Sequence, residues 1–555
     1  MQRKDLDQWW RSAVIYQVYP RSFADTNNDG IGDLPGIIER LPYLENLGVD
    51  ALWISPFYPS PQCDAGYDVA DYTDINPEYG TLADFDRLVE QAHARSMRVI
   101  IDVVPNHSSI KHPWFEDALA AGPNSPERAR YIFRHSPDGP PNNWGSMFGG
   151  SAWSKVRPLT GKDEDEDWWY LHLFDSSQPD FDWSNPEVHE LFKNYFRFWL
   201  DRGADGFRVD VAHGMVKVPG LPDDTVGPDR WTKGVRPESY LETRTMPYFD
   251  QDGVHDIFRE WRQVLNEYGP DRMLVAEAWV EPPSRGALYV REDEMSQSFN
   301  FDYLKSPWDA NHIRKVIDQS RREMGAVGAP VTWVLSNHDV VRHASRYGYR
   351  DTINREAGIG PRDPQPDREL GLARALAATT FMLALPGSAY IYQGEELGLP
   401  EHTQIADADR QDPTFARTGG KIPGRDGCRV PLPWHATAPN YGFGTGSPWL
   451  PQPDYWGNYA ADREDADPTS TLNHYRKALK LRRELGLGTG DFRWVDSLEG
   501  VLVFENKGVT VALNFTDQEW AVQVSGNIVL AAGKATMGAQ LTQLTLGPNS
   551  AAWVK

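Results

Sequence analysis

The segment GFRVDVAH, Gly206 to His213, follows a strongly amphipathic helical pattern and carries an arginine and an aspartate two positions apart. Residues i and i+2 of a strand share a face, so Arg208 and Asp210 are expected side by side at a strand end. A neighbouring guanidinium favours the ionised form of a carboxyl group and lowers its pKa. Alone, such a pair is ordinarily a buried structural contact. Here it has company. Asp102 in DVVPNH (Asp102–His107), Glu277 in MLVAEAW (Met273–Trp279) and Asp339 in SNHDVVR (Ser336–Arg342) also close apolar, strand-like runs.

Outward from this segment, strand-like and helix-like stretches alternate. Strands are predicted at Ala13–Tyr19, Val49–Ile54, Arg98–Val104, Asp205–Val211, Met273–Ala278, Ser298–Tyr303, Val331–Ser336 and Ser388–Tyr392. Helices fit Leu34–Leu47, Glu187–Leu200, Val254–Tyr268, Ala310–Met324, Arg368–Leu383 and Leu472–Leu485. Another begins near Thr81, where TLAD has the form of a capping box. Eight strands each followed by helix make a (β/α)8 TIM barrel, although a doubly wound sheet shares the alternation. The barrel is preferred because acidic or histidine-containing motifs end several different strands, whereas an open sheet concentrates its site at one switch point. The reading assigns 1–105 and 175–485 to the barrel. An irregular subdomain, 106–174, is inserted after strand 3, and 486–555 form a C-terminal antiparallel β-domain of sandwich type.

At 555 residues with 40% hydrophobic content, the chain can bury a large core, and its 21 Trp and 23 Tyr include rings of the kind that pack on sugar faces. A net charge of −23 argues against nucleic acid and anionic membranes as partners. Two cysteines exclude a disulfide scaffold, and no apolar run is long enough to span a membrane. The N-terminus lacks a signal-peptide pattern, so a cytoplasmic location is expected, as monomer or homodimer.

Converging carboxylates repel one another in a pocket of low dielectric, and the arrangement suits a developing cation or a metal. Retaining glycoside hydrolysis needs an ionised nucleophile and a protonated acid about 5–5.5 Å apart around an oxocarbenium-like transition state. Asp210, beside Arg208, suits the nucleophile. Glu277, among Ala276, Ala278 and Trp279 with no cation adjacent in sequence, suits the acid. Asp339 is a third carboxylate for sugar hydroxyls.

Together these motifs resemble the α-amylase superfamily, glycoside hydrolase family 13, in its α-glucosidase and oligo-1,6-glucosidase branch. DVVPNH, QPDFDW (Gln178–Trp183), GFRVDVAH, AEAW and SNHDVVR occur in the family's order over nearly the whole chain. They are flanked by GYDVADY (Gly66–Tyr72), YQGEELG (Tyr392–Gly398) and GRDGCRVPLPW (Gly424–Trp434). The resemblance implies Asp210 as nucleophile, Glu277 as acid/base and Asp339 as transition-state stabiliser. It further implies that Tyr67, Asp68, His107, Phe174, Gln178, Arg208, His338 and Arg342 line the subsite for a non-reducing-end glucose. There Asp68 and Arg342 are expected to pair and close the pocket floor, which makes the enzyme exo-acting on a small oligosaccharide.

Asp25, Asn27, Asp29, Ile31 and Asp33 place oxygen donors at alternate positions. Read from the residues, this is either a plain Asp/Asn/Gly turn or a cation loop. The resemblance implies a structural Ca2+, or Mg2+, and no organic cofactor. Departures from the family pattern concern linkage. Val211 after the nucleophile leans towards α-1,6 bonds, but Ala212-His213-Gly214 and the loop 214–247 depart from the usual sequence, and His213 either packs or touches an acceptor sugar. An alternative reading is a glucosyltransferase or isomerase of trehalose-synthase or sucrose-active type, because the first half-reaction is shared. A non-catalytic binding subunit fits poorly with three retained acids.

Overall fold

The structure, a computed structural model, describes residues 8–225, 246–351, 355 and 357–555. Eight parallel strands form its centre: β1 (Val14–Val18), β2 (Ala51–Ile54), β3 (Arg98–Val103), β4 (Gly206–Val209), β5 (Met273–Ala276), β6 (Gln297–Ser298), β7 (Thr332–Val334) and β8 (Ser388–Tyr392). Their hydrogen-bonded order runs β7–β8–β1–β2–β3–β4–β5–β6. The two ends of that order are successive strands, and Thr332 Oγ1 donates to the Ser298 carbonyl across the seam at 2.5 Å. An open doubly wound sheet leaves its edge strands far apart, so this bond decides for the barrel.

Side chains alternate between two cores. Ile15, Ala51, Trp53, Ile100, Val275, Val334 and Tyr390 fill the barrel, while Tyr16, Leu52, Ile101 and Leu274 pack outward against the helices. Pro186–Asp201 turns Val188, Phe192, Tyr195, Phe196 and Trp199 onto the sheet. Leu82–Ala94 starts with the predicted capping box, Thr81 Oγ1 receiving the Asp84 N–H. One strand is shorter than expected. Ser298–Tyr303 is a strand only at Gln297–Ser298, and Asn300 then caps a short helix, Phe301–Leu304, by accepting the Tyr303 N–H.

Between β3 and β4, the strands Phe133–His135, Trp168–Leu171 and Trp153–Lys155 form a small antiparallel sheet. After Thr471–Leu485, a five-stranded and a three-stranded antiparallel sheet enclose Val501, Val503, Ala512, Val522, Leu544 and Leu546. Trp553 of the larger sheet donates its indole N–H to Thr380 O on the barrel helix Arg368–Met382. Among the described residues no helix is long and apolar enough to cross a membrane. Residues 226–245 of the loop 214–247 lie outside the described residues.

Candidate active site

Parallel register brings the motifs together. Asp102 of β3 pairs with Arg208 of β4, which pairs with Val275 of β5. The ladder runs on past the strand ends, with Asp210 N bonded to Val103 O and Glu277 N to Val209 O, each at 2.9 Å. Arg208 is 2% exposed and uses both ends of its guanidinium: Nη1 meets Asp210 Oδ1 and Nη2 meets Glu277 Oε2, each at 2.6 Å. Asp210 also comes within hydrogen-bonding reach of Glu277. The two carboxyl groups therefore share one cation in one buried space.

Their surroundings differ from the expectation drawn from sequence neighbours. Burial raises the Asp210 carboxyl well above its ordinary value; Arg208 opposes this, while the charges of Glu277 and Asp102 add to it. Arg208 thus offsets the burial of Asp210 without reversing it. Glu277, read as lacking a cation, has Arg208 against Oε2 and the Trp279 indole N–H on Oε1 at 3.0 Å. Val211 contributes a further donor. It adopts a left-handed backbone (φ 43°), an outlier for a β-branched residue, and its N–H reaches Glu277 Oε2 at 3.1 Å.

Asp339 lies across the same mouth. Its Oδ1 receives Arg425 Nη1 at 2.9 Å and Arg429 Nη2 at 3.1 Å, and Oδ2 is 3.2 Å from His338 Nε2. Burial works against the charge on Asp339, but His338, Arg425 and Arg429 outweigh it and hold the carboxyl below the ordinary range. Burial, together with the nearby arginines, lowers His338 well below its ordinary value against the opposing charge of Asp339, and its Nε2 bonds to the Tyr67 hydroxyl. Gln17 Nε2 donates to His338 Nδ1 at 2.7 Å, leaving the proton on Nε2. The Tyr67 hydroxyl is 2.7 Å from that Nε2 and donates to Asp102 Oδ2 at 2.9 Å.

The pocket floor departs from expectation. Asp68 and Arg342 form no pair. Asp68 accepts Ser60 Oγ and the N–H groups of Cys63 and Asp64, holding the turn 60–68. Arg342 donates to Gln393 O and Cys428 O, and its guanidinium lies 4.7 Å from the Tyr392 ring centre. The charged pair is Asp64 with Arg425, Oδ1 to Nη2 at 2.9 Å. Asp412 Oδ2 fixes Arg425 from behind, meeting Nε at 2.6 Å and the backbone N–H at 2.8 Å. On the next wall Gln178 Nε2 lies 3.1 Å from His107 Nε2 and 3.2 Å from Asp64 Oδ2. The Phe174 ring touches both His107 and Phe148. Burial, and after it the charge of Lys217, lowers His107 to about 3, so the ring is neutral.

The structure thus gathers Tyr67, His107, Phe174, Gln178, Arg208, Asp210, Glu277, His338 and Asp339, and gives Asp68 and Arg342 scaffold contacts. Sequence reading missed Asp64, Asp412, Arg425, Arg429 and Lys217. Lys217 is a buried cation whose Nζ joins Asp180 Oδ2, Asn106 Oδ1 and Gly214 O, tying the loop after Asp210 to the inserted segment. His213 packs against Phe249 with ring centres 4.5 Å apart, and its Nδ1 has no partner among the described residues.

In the loop 25–33, Asp25 accepts the N–H groups of Asn28 and Gly30, and Asp29 those of Asn27 Nδ2 and Ile31. Asp33 caps the helix Leu34–Leu47 and receives Thr26. Among the described residues no three His, Cys, Asp or Glu side chains converge as a closed metal cage. The loop still carries the oxygen donors, carboxylate, amide and backbone carbonyl, from which a hard cation would be held. Burial raises the Asp25 carboxyl and the charges of Asp29 and Asp33 add to this, with no basic side chain among the causes.

Comparison with known proteins accords with this geometry. A family model described as the alpha-amylase catalytic domain matches residues 17–488. A probable alpha-glucosidase of Rhizobium meliloti (strain 1021) is 37% identical over 532 residues, covering 92% of this chain and 90% of that protein. An oligo-1,6-glucosidase of Parageobacillus thermoglucosidasius is 36% identical over 510 residues, covering 86% and 84%. The solved structure of an alpha-glucosyl transfer enzyme, XgtA, superimposes with a TM-score of 0.85 at 34% identity, covering 99% of this chain and 100% of that one.

Proposed function

Because this chain belongs to the alpha-amylase family, we propose that it is an exo-acting, retaining α-glucosidase that cleaves the non-reducing-end glucose from short malto- or isomalto-oligosaccharides. The observation that carries the reading is Arg208 holding Asp210 and Glu277 at the two ends of one guanidinium. In the first step a carboxylate oxygen of Asp210 attacks the anomeric carbon as the glycosidic bond breaks, and Glu277 gives its proton to the leaving oxygen. In the second, Glu277 takes a proton from water, the water oxygen bonds to the anomeric carbon, and Asp210 departs as carboxylate. Asp339, kept charged by Arg425 and Arg429, accepts sugar hydroxyls and stabilises positive charge on the ring. Two unpaired thiols, Cys63 and Cys428, support a reducing, cytoplasmic setting.

The test is the anomer first released from maltose or isomaltose, followed by NMR before mutarotation. Retention predicts the α-anomer; the β-anomer refutes the mechanism. The Asp64–Arg425 floor makes a further prediction. Arg425→Gln lowers kcat/KM for maltose by about 100-fold, because the buried Asp64 and Asp412 and the partly exposed Asp339 lose their shared donor. Rapid viscosity loss on long starch, the mark of internal cutting, contradicts the closed pocket.

One comparison supports a second reading, glucosyl transfer to a sugar acceptor, since XgtA is a glucosyl transfer enzyme. Product analysis on maltose and sucrose separates the two: hydrolysis gives two glucoses per maltose, or glucose and fructose from sucrose, whereas transfer gives new di- or trisaccharides with one glucose (or fructose) released per bond cleaved.

A structural Ca2+, or Mg2+, held by Asp25, Asn27, Asp29, the Ile31 carbonyl and Asp33 is also proposed, on the strength of the loop's oxygen donors. CaCl2 raises Tm relative to EDTA by linkage, and Asp29→Ala abolishes the difference. Equal Tm values in CaCl2 and EDTA reduce the loop to a self-bonded turn.

A further inference from the structure

A concavity of about 640 Å3 lies in the irregular stretch 399–468 and is lined in part by Asp409, Gln411, Asn440, Tyr441, Trp449 and Gln452. None of the functional-site residues described above lines it. Its volume falls within the range of small-ligand pockets, about 300–1,000 Å3. Its frame is fixed. The Trp449 indole carries the Arg21 guanidinium 4.2 Å from its ring centre, donates to Ser22 Oγ, and its backbone N–H is anchored on Gly30 O. Asn440 and Tyr441 are consecutive non-glycine residues in the left-handed region (φ 46° and 51°), a conformation that costs free energy and persists where surrounding contacts enforce it.

The polarity of the lining leans to acceptors, with the Ser447 hydroxyl able to donate or accept. The side-chain amide donors are already committed: Gln411 Nε2 to Trp449 O, Gln452 Nε2 to Pro431 O, and Asn440 Nδ2 to Gly444 O and Gly446 O. Among the described residues no hydrogen bond reaches the three amide oxygens or the Asp409 carboxylate, and the lining holds no lysine, arginine or histidine. Acceptors without cations repel phosphate and carboxylate ligands and suit a partner that brings hydroxyl donors. Two aromatic rings among those acceptors add the apolar surface that a sugar ring packs on.

We propose that this groove is a second, non-catalytic binding site for a neutral oligosaccharide. The groove shares no residue with the site assigned to Asp210 and binds sugar independently of the chemistry there. Maltotriose and isomaltotriose are the probes, titrated calorimetrically into the full chain carrying Asp210→Asn, with inorganic phosphate as a control. The expected result is two sugars bound per chain and no phosphate. Ala438→Trp and Ala408→Trp each fill the groove without removing a side-chain hydrogen bond, and are added separately. Either substitution is expected to remove one of the two sites, or to weaken it by about tenfold or more, while the wild-type background still turns over a small synthetic α-glucoside normally. Loss of a lone sugar site on filling also supports the groove and counts instead against the active-site reading. A single site in Asp210→Asn protein that survives both fillings, two sites that survive both, or phosphate binding in place of sugar overturns the proposal.

Discussion

Asp210→Asn lowers kcat/KM for maltose by about 10,000-fold or more and leaves the protein folded, with a Tm no lower than that of the parent at neutral pH. Activity is lost because an amide neither forms nor expels the glucosyl ester. Stability follows from the cost of keeping a charge at this place. Burial raises the Asp210 carboxyl, so the native state holds its proton more tightly than the unfolded chain does. That stabilisation is present at low pH and is lost as pH climbs from the ordinary carboxylate range through the raised native value. Asparagine stands in for the protonated form at every pH. The fall in Tm as pH rises above the ordinary carboxylate range, about 4, is therefore shallower in the variant than in the parent. Parallel melting curves against pH contradict the assignment of Asp210 as a carboxyl raised by burial, even if activity is lost.

Arg208→Gln has the second large effect, and it acts on stability and turnover together. The guanidinium touches Asp210 and Glu277 at 2.6 Å and Asp102 at 3.4 Å, all within the barrel mouth. Removing it leaves the buried Asp102 and Asp210 and the half-buried Glu277 without their common cation, a change that costs about 3–5 kcal/mol where a single buried pair is broken. The expected outcome is a markedly lower Tm at pH 7 that recovers partly at pH 5, where the orphaned acids take up protons. Turnover falls by about 1,000-fold or more, since both reacting carboxyl groups lose their alignment. Arg208→Lys restores charge but not the two-ended contact, and recovers stability more than activity. A glutamine variant as stable at pH 7 as at pH 5 contradicts the shared-cation account.

The barrel was legible because its staves are short, nearly continuous apolar runs, and the acidic motifs mark where each run meets the mouth. The failures have particular causes. Phe299-Asn-Phe-Asp-Tyr303 alternates like a strand, yet Asn300 accepts the Tyr303 N–H and starts a helix; capping chemistry overrode the period. In Asp64-Ala-Gly-Tyr-Asp68 two acids lie four positions apart, and Gly66, at φ 102°, bends the chain between them. No pattern along the line tells which acid meets the pocket and which holds the turn. Arg342 is near Asp339 in sequence, whereas the cations that bind Asp339 come 86 and 90 residues later. Glu277 looked apolar for the same reason, its guanidinium arriving from 69 residues upstream. Side chains gathered by register were predictable from strand ends. Those delivered by the long stretch 399–468, Asp412 and Arg425 above all, were not.

Mass spectrometry on an enzyme that cannot complete turnover tests the central claim most directly. Glu277→Gln protein, given an α-glucosyl fluoride whose leaving group needs no acid, is expected to accumulate a glucosyl ester, because no base activates water for the second step. Peptide mapping is predicted to place that ester on Asp210. A label on any other carboxylate, or full turnover by Glu277→Gln with no trapped ester, contradicts the pairing of Asp210 and Glu277 around one glycosidic oxygen.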